Sequence, residues 1–196
     1  MSKDKDPYHA IVVNMFGGPG TGKSTLASSL YSELKWKGVS CEFVPEFVKG
    51  KIYDESWIEL EHQHHVFGNQ LHQVKRCSKD VNVVVLDTSL LNSLFYKTEK
   101  TSSSFKSSVL EEFRKFKTVN FFVERTDSIY DTVGREQSLE EAQEIDRLVL
   151  GKLKLHDVPH TKIVSKPNQV QEMLARIDVK MQNERSLNNA VWNLDS

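Results

Sequence analysis

Eight consecutive residues, Gly17-Gly18-Pro19-Gly20-Thr21-Gly22-Lys23-Ser24, follow the spacing G-x-x-x-x-G-K-[ST]. Glycines at such places let a loop curl until successive backbone N–H groups face inward on an anion. A lysine in the seventh place carries a full positive charge to terminal phosphates, and a hydroxyl in the eighth is a ligand for Mg²⁺. Binding contacts are therefore expected from Gly18, Pro19, Gly20, Thr21, Gly22, Lys23 and Ser24, and from Thr25 beside them. Two carboxylates stand where the same chemistry can use them. Asp87 ends the apolar run 81–86, the place of a carboxylate that holds the shell of a nucleotide-bound metal, so Ser24 and Asp87 are the expected metal residues. Glu46 follows the apolar run 40–44, where it can accept a proton from an attacking hydroxyl or orient it.

Such a loop implies a nucleoside triphosphate and leaves three reactions open: phosphoryl transfer, hydrolysis driving motion, and a guanine-nucleotide switch. No N-K-x-D guanine-specificity element occurs in the chain, which weakens the switch. The string Gly-Pro-Gly-Thr-Gly-Lys-Ser is also similar to the loop of AAA+ ATPases. Those enzymes place a water-activating Glu after the strand-ending Asp, whereas here Asp87 is followed by Thr88 and Ser89. The chain is also too short for the separate helical domain that AAA+ proteins add. Transfer to an acceptor is the favoured reading.

The elements needed to hold these groups can be read around them. An apolar strand at 10–15 runs into the loop, and a helix from Lys23 to Trp36 leaves it, its N-terminus adding partial positive charge beneath the phosphates. Strands are expected at 40–44, stopped by Pro45, at 81–86, at 118–123 and at 161–164. The run at 81–86 is almost wholly apolar, as a strand buried on both faces should be. Ser56-x-x-Glu59 is a capping box expected to open a helix towards Lys79. A second box, Ser138-x-x-Glu141, precedes Leu139, Ala142, Ile145, Val149 and Leu153 at helical spacing, predicting an amphipathic helix to about His156. Residues 97–108 are Ser- and Lys-rich and read as a mobile loop, with a helix from about 109 to 116. A last helix is expected over 168–181. Strands alternating with helices specify an α/β protein with a mainly parallel sheet.

The chain as a whole suits that reading. Its 196 residues, with net charge −1 and 38% hydrophobic residues, make one ordinary globular domain over residues 10–181, with a charged tail at 1–9 and a polar tail at 182–196. The near-neutral balance argues against a nucleic-acid wrapper. No apolar run approaches the roughly 20 residues of a membrane span. The N-terminus lacks an apolar signal core, and Cys41 and Cys77 make no disulfide framework, so a cytoplasmic location is expected.

The P-loop, Val44-Pro45-Glu46-Phe47-Val48-Lys49, Leu86-Asp87-Thr88-Ser89-Leu90 and Tyr130-x-x-x-Gly134-Arg135-Glu136-Gln137 together resemble a branch of P-loop nucleoside and nucleotide kinases. The branch includes ribosylnicotinamide kinase domains and phage-encoded nucleotide-kinase-like AAA-type ATP-binding proteins, with deoxynucleoside kinases more distant. The similarity covers roughly residues 10–178. It implies a three-layer fold with a five-stranded parallel sheet in the order 2-3-1-4-5 and a helical lid. It further implies ATP and Mg²⁺ as the nucleotide and metal, and a nucleoside- or nucleotide-like acceptor. Residue by residue, it makes Lys23, Glu46, Asp87 and Arg135 the catalytic set, Arg135 being the lid arginine whose fork stabilises transition-state charge. Arg125 is implied as a nucleotide-side partner of Arg135 or an anchor of the lid. Lys49 stands where the branch often carries Arg, a point charge in place of a fork. Gln63, Phe67 and Gln70 share a helical stripe and are implied as acceptor-binding, Gln70 at a base edge and Phe67 by stacking, against the alternative of core packing. The loop at 165–167 corresponds to one that contacts adenine. A phage gene would place the protein in its host's cytoplasm.

Other signals weigh less. His62, His64, His65 and His72 lack the Cys or carboxylate partners of a zinc site. Lys97, Lys100 and Lys106 read as solvated charges rather than a nucleic-acid contact. Two rivals to a small acceptor stay open: a hydroxyl of modified DNA, and a non-catalytic or merely hydrolytic ATP-binding partner protein docking through the tail around Trp192. Homo-oligomerisation is left open.

Overall fold

The computed structural model describes residues 8–48, 51, 62–95, 102–126 and 138–192, with side chains to residue 186. Five strands, β1 (Ile11–Phe16), β2 (Cys41–Val44), β3 (Val83–Leu86), β4 (Lys117–Glu124) and β5 (Thr161–Val164), form one sheet. Its order is β2-β3-β1-β4-β5, and every pairing is parallel. The expected class and strand order are both found. Six helices are described: α1 (Lys23–Trp36), α2 (Gln63–Cys77), α3 (Asn92–Phe95), α4 (Ser103–Arg114), α5 (Leu139–Leu155) and α6 (Gln169–Trp192).

β3 is apolar at every place, and β1 at every place but Asn14, because helices cover both faces. One face of the sheet presents Ile11, Val13, Met15, Val83, Val85, Phe121, Val123 and Ile163. Leu26, Ala27, Leu30 and Leu34 of α1 and Val170, Met173, Leu174 and Ile177 of α6 pack on it. The intervening residues, Val12, Phe16, Val84, Leu86 and Phe122, face the opposite layer, where α2, α4 and α5 contribute Phe67, Val74, Phe105, Val109, Phe113, Val149 and Leu153. Alternation of period two along β1 thus sorts its side chains between two cores. A buried amide pair interrupts the second: Asn14 donates to Asn120 at 2.9 Å, and Asn120 donates to the Pro159 carbonyl at 2.9 Å. That network ties β1, β4 and the turn before β5 together at β1's polar position.

Two expectations need correction. The Ser- and Lys-rich segment, expected to be a loop through residue 108, is helical from Ser103, with Ser102 as N-cap, its hydroxyl accepting from Phe105 N at 3.2 Å. The Ser and Lys residues, Lys106 among them, lie on the exposed face, while Phe105, Val109 and Phe113, four residues apart, are buried. Composition hid a stripe that the spacing contains. Residues 96–101, with Lys97 and Lys100, lie outside the described set. The last helix, expected to end at Met181, runs to Trp192. Within its polar extension Glu184 pairs with Lys117 at 3.3 Å and with Lys180 at 3.1 Å.

The remaining boundaries differ by a residue or two. The second capping box is present, Ser138 accepting from Glu141 N at 3.2 Å while Glu141 accepts from Ser138 N at 2.7 Å. The first, at Ser56, lies outside the described residues, and α2 is described from Gln63 with His62 as N-cap.

Candidate functional site

Parallel registry brings the ends of β2, β3 and β1 to one edge of the sheet. Val44 stands beside Leu86, and Val85 beside Val13, so the residues just beyond (Glu46, Asp87 and the loop from Gly17) emerge together. In open α/β sheets this carboxyl edge is where ligand crevices form. The end of β1 is tied to the residue after Asp87, Met15 N donating to the Thr88 carbonyl at 3.2 Å.

The loop ends in a helix N-terminus well suited to an anion. Gly22 is the N-cap of α1, with φ 90° and ψ 19°, and the first turn holds no acidic side chain to neutralise the dipole. Inside the loop, Lys23 Nζ donates to the Gly18 carbonyl at 2.7 Å, and Thr21 Oγ1 donates to the same oxygen at 3.2 Å. Burial pulls the Lys23 pKa below its ordinary value, and Arg125 pulls the same way. Glu46, Asp146 and Asp87 oppose them. Three carboxylates thus act on this one ammonium. Ser24 and Thr25 follow on the first turn of α1.

Asp87 is 5% exposed. The hydroxyls after it are spent on local structure: Thr88 Oγ1 accepts from Asn92 Nδ2 at 2.6 Å, and Ser89 Oγ accepts from Leu91 N at 3.2 Å. Both secure the turn into α3. Glu46 is half-buried between Pro45 and Phe47. Gln70 brackets it, accepting from Phe47 N at 3.1 Å and donating to the Pro45 carbonyl at 3.4 Å. The amide expected at a base edge therefore grips the backbone on either side of Glu46. Phe67 lies in the core, edge-on to Phe105 with centroids 5.8 Å apart. Gln63 is half-buried in the first turn of α2.

Arg125, just past β4, bridges α5 and the phosphate loop. Its Nε donates to Asp146 Oδ2 at 2.8 Å and its Nη2 to the Pro19 carbonyl at 2.8 Å. Asp146, on α5, also accepts from Gly18 N at 2.6 Å. Sequence reading missed Asp146. The signal was present, because Ala142, Asp146, Val149 and Leu153 share one stripe, and a carboxylate on that apolar face of α5 needs a partner. Ser165, after β5, lies over Gly22 and donates to its carbonyl at 3.4 Å, bringing the last loop against the phosphate loop. Lys49 and Arg135 lie outside the described residues.

The histidines are dispersed. The His64 ring lies 4.1 Å from Phe105, the His65 ring 5.8 Å from Phe47, and His62 caps α2. Among the described residues no group of three or more His, Cys, Asp or Glu side chains could hold a metal ion by itself. A hydroxyl (Ser24) and one buried carboxylate (Asp87) suit instead a metal that takes its other ligands from phosphate and water. No helix among the described residues is long and apolar enough to cross a membrane.

Comparison with known proteins agrees with the loop. An AAA domain family model matches residues 12–172. No curated protein matches the sequence. Among solved structures, the chain is similar to the APS kinase CysC of Mycobacterium tuberculosis, at 13% identity and TM-score 0.39, over 72% of this chain and 98% of that one. It is also similar to the protein APE1195, at 15% identity and TM-score 0.45, over 89% and 98%. A DUF1611 family protein of Anabaena variabilis aligns at 14% identity and TM-score 0.38, over 90% and 58%.

Proposed function

We propose, from the premise that this chain belongs to the AAA domain family and so binds a nucleotide at its P-loop, that it is an ATP- and Mg²⁺-dependent kinase transferring the γ-phosphate to a nucleoside- or nucleotide-like hydroxyl. The observation that carries this reading is the parallel registry that brings Glu46 and Asp87 to the same carboxyl edge as the phosphate loop, with Thr88 and Ser89 rather than a water-activating Glu after Asp87. A transferase needs a carboxylate for the acceptor as well as one for the metal, and both stand at this edge.

In this mechanism the loop amides and Lys23 bind the β- and γ-phosphates. Bound Mg²⁺, held by Ser24 and Asp87, would neutralise charge on the phosphate oxygens. Glu46 orients the acceptor hydroxyl and takes its proton as that oxygen bonds to the γ-phosphorus and the bond to ADP breaks. Arg135 closes on the transferring group. Positioning and electrostatics supply nearly all the catalysis in such a reaction. Gln70 supports it indirectly, by fixing the backbone on both sides of Glu46.

The test is transfer of label from γ-labelled ATP to a panel of nucleosides, monophosphates, ribosylnicotinamide and duplex DNA, with Lys23→Ala as control. Labelled small acceptor, absent with Lys23→Ala, is the expected result. Label on DNA alone would select the DNA-hydroxyl reading. Label released only to water, at a rate no acceptor changes, would select the hydrolytic partner protein and sink transfer. Turnover retained by Lys23→Ala would remove the site assignment altogether.

A further inference from the structure

The phosphate loop is fastened to a helix far along the chain, and both halves of the fastening are side chains of opposite charge. Asp146 stands in the second turn of α5 and Arg125 just beyond β4, their side chains 16% and 14% exposed. Asp146 uses one oxygen for Gly18 N at 2.6 Å and the other for Arg125 Nε at 2.8 Å, while Arg125 Nη2 reaches the Pro19 carbonyl at 2.8 Å. The four groups make a closed ring across two successive loop residues. Its geometry depends on Gly18: a β-carbon there would lie 2.6 Å from Asp146 Oδ1 and 2.7 Å from the Ala142 carbonyl, so α5 approaches the loop more closely than any side chain allows.

We propose that Asp146 is a positioning residue which, with Arg125, locks the first half of the phosphate loop to α5 and so sets nucleotide affinity. The inference rests on the reading of the loop as a nucleotide site. The ring leaves the amides from Gly20 to Ser24, on the helix side of the loop, to receive phosphate, because the Gly18 amide is committed to Asp146. A change in the placement of α5 is therefore felt at Gly18 and Pro19, directly before the left-handed turn at Gly20. Charge matters as well as shape. An Asn at 146 can still accept from Gly18 N, but its amide cannot satisfy both that donor and the guanidinium of Arg125.

The experiment has two arms on the full chain. Amide exchange at Gly18, followed by NMR, reads the lock without nucleotide. Protection in the native chain, lost with Asp146→Ala, is expected, and an equally fast Gly18 amide in both would overturn the proposal. Titration with a fluorescent ATP analogue reads the consequence. Asp146→Asn should weaken binding about tenfold, the equivalent of one charge-assisted hydrogen bond. Asp146→Asn/Arg125→Gln should be no weaker than the single variant, because the two residues act as one unit. Native affinity in Asp146→Asn would overturn the proposal, as would losses that multiply in the double variant, or a loss matched by a collapse of the melting transition. A native chain that binds no ATP analogue at all would refute the proposed function, and with it the role in affinity, while exchange at Gly18 would still decide whether the lock exists.

Discussion

Gly22→Ala places a methyl group where the structure has neither space nor a permitted backbone. Gly22 has φ +90°, and a β-carbon there would fall inside van der Waals distance of Ser165 Oγ and Cβ, with Ser165 Cα at 3.9 Å. Two costs add. A left-handed conformation at a residue other than glycine costs about 1–2 kcal/mol. Forcing an extra methyl into a filled contact costs about 1–3 kcal/mol. The single variant should therefore lose about 2–5 kcal/mol, a sum of those two ranges. Ser165→Gly separates the costs, since it removes both atoms that the new methyl strikes and leaves an ordinary contact with the α-carbon. In the Ser165→Gly background, Gly22→Ala should cost only the conformational part, about 1–2 kcal/mol. The coupling between the two sites is then about 1–3 kcal/mol, the overpacking share. Urea unfolding of the four proteins measures this directly, provided the slopes agree. A wild-type midpoint for Gly22→Ala, or a penalty unchanged by Ser165→Gly, would refute the placement of the last loop over the phosphate loop.

Three further outcomes follow from the same contacts. Gln70→Leu removes the clamp on Pro45 and Phe47 and should lower kcat by about tenfold or more with every acceptor, while ATP affinity holds, since small displacements of a reacting group are costly; a change confined to acceptor preference would mean that Gln70 reads the base. Ser138→Ala dismantles the capping box of α5 and should cost about 1 kcal/mol, a fall of about 2–4 °C in Tm for a chain of this size, with Ser138→Asp restoring most of it in the same scan. Glu112 is held below its ordinary 4.5, first by the hydrogen bond from Lys75 and also by Lys115, against an opposing effect of burial. Because its folded pKa is depressed, its contribution is present above pH 4.5 and lost as pH falls through the folded value. Glu112→Gln should therefore be less stable than the native chain at pH 7 by up to about 1 kcal/mol, and the gap should close in acid unfolding curves.

Much of the architecture was legible because it depends on local spacing. The glycines and Lys23 of the phosphate loop, the apolar run that became β3, and the Ser138 box each state their structure within a few residues, where backbone sterics and burial act directly. Composition misleads where it masks a spacing that the same residues carry. The serines and lysines around Ser103 suggested a loop, although Phe105, Val109 and Phe113 already carried a helical stripe. The polar residues after Met181 suggested a tail, although Lys180 and Glu184 already stood at the i,i+4 spacing of a helical ion pair.

The site divides along the same line. By itself the sequence determined that a nucleotide loop exists, that Asp87 lacks a following Glu, and that Glu46 and Asp87 end neighbouring apolar runs. Only the tertiary structure decided what the other side chains do. Gln70 grips the backbone around Glu46, 23–25 residues away in sequence. Arg125 and Asp146 close on the loop from separations of 106 and 128 residues. Ser165 lies over Gly22 at a separation of 143. A spacing rule reaches only as far as one helix or one turn. Contacts at these separations arise from sheet order and helix packing, which bring distant segments to the same carboxyl edge.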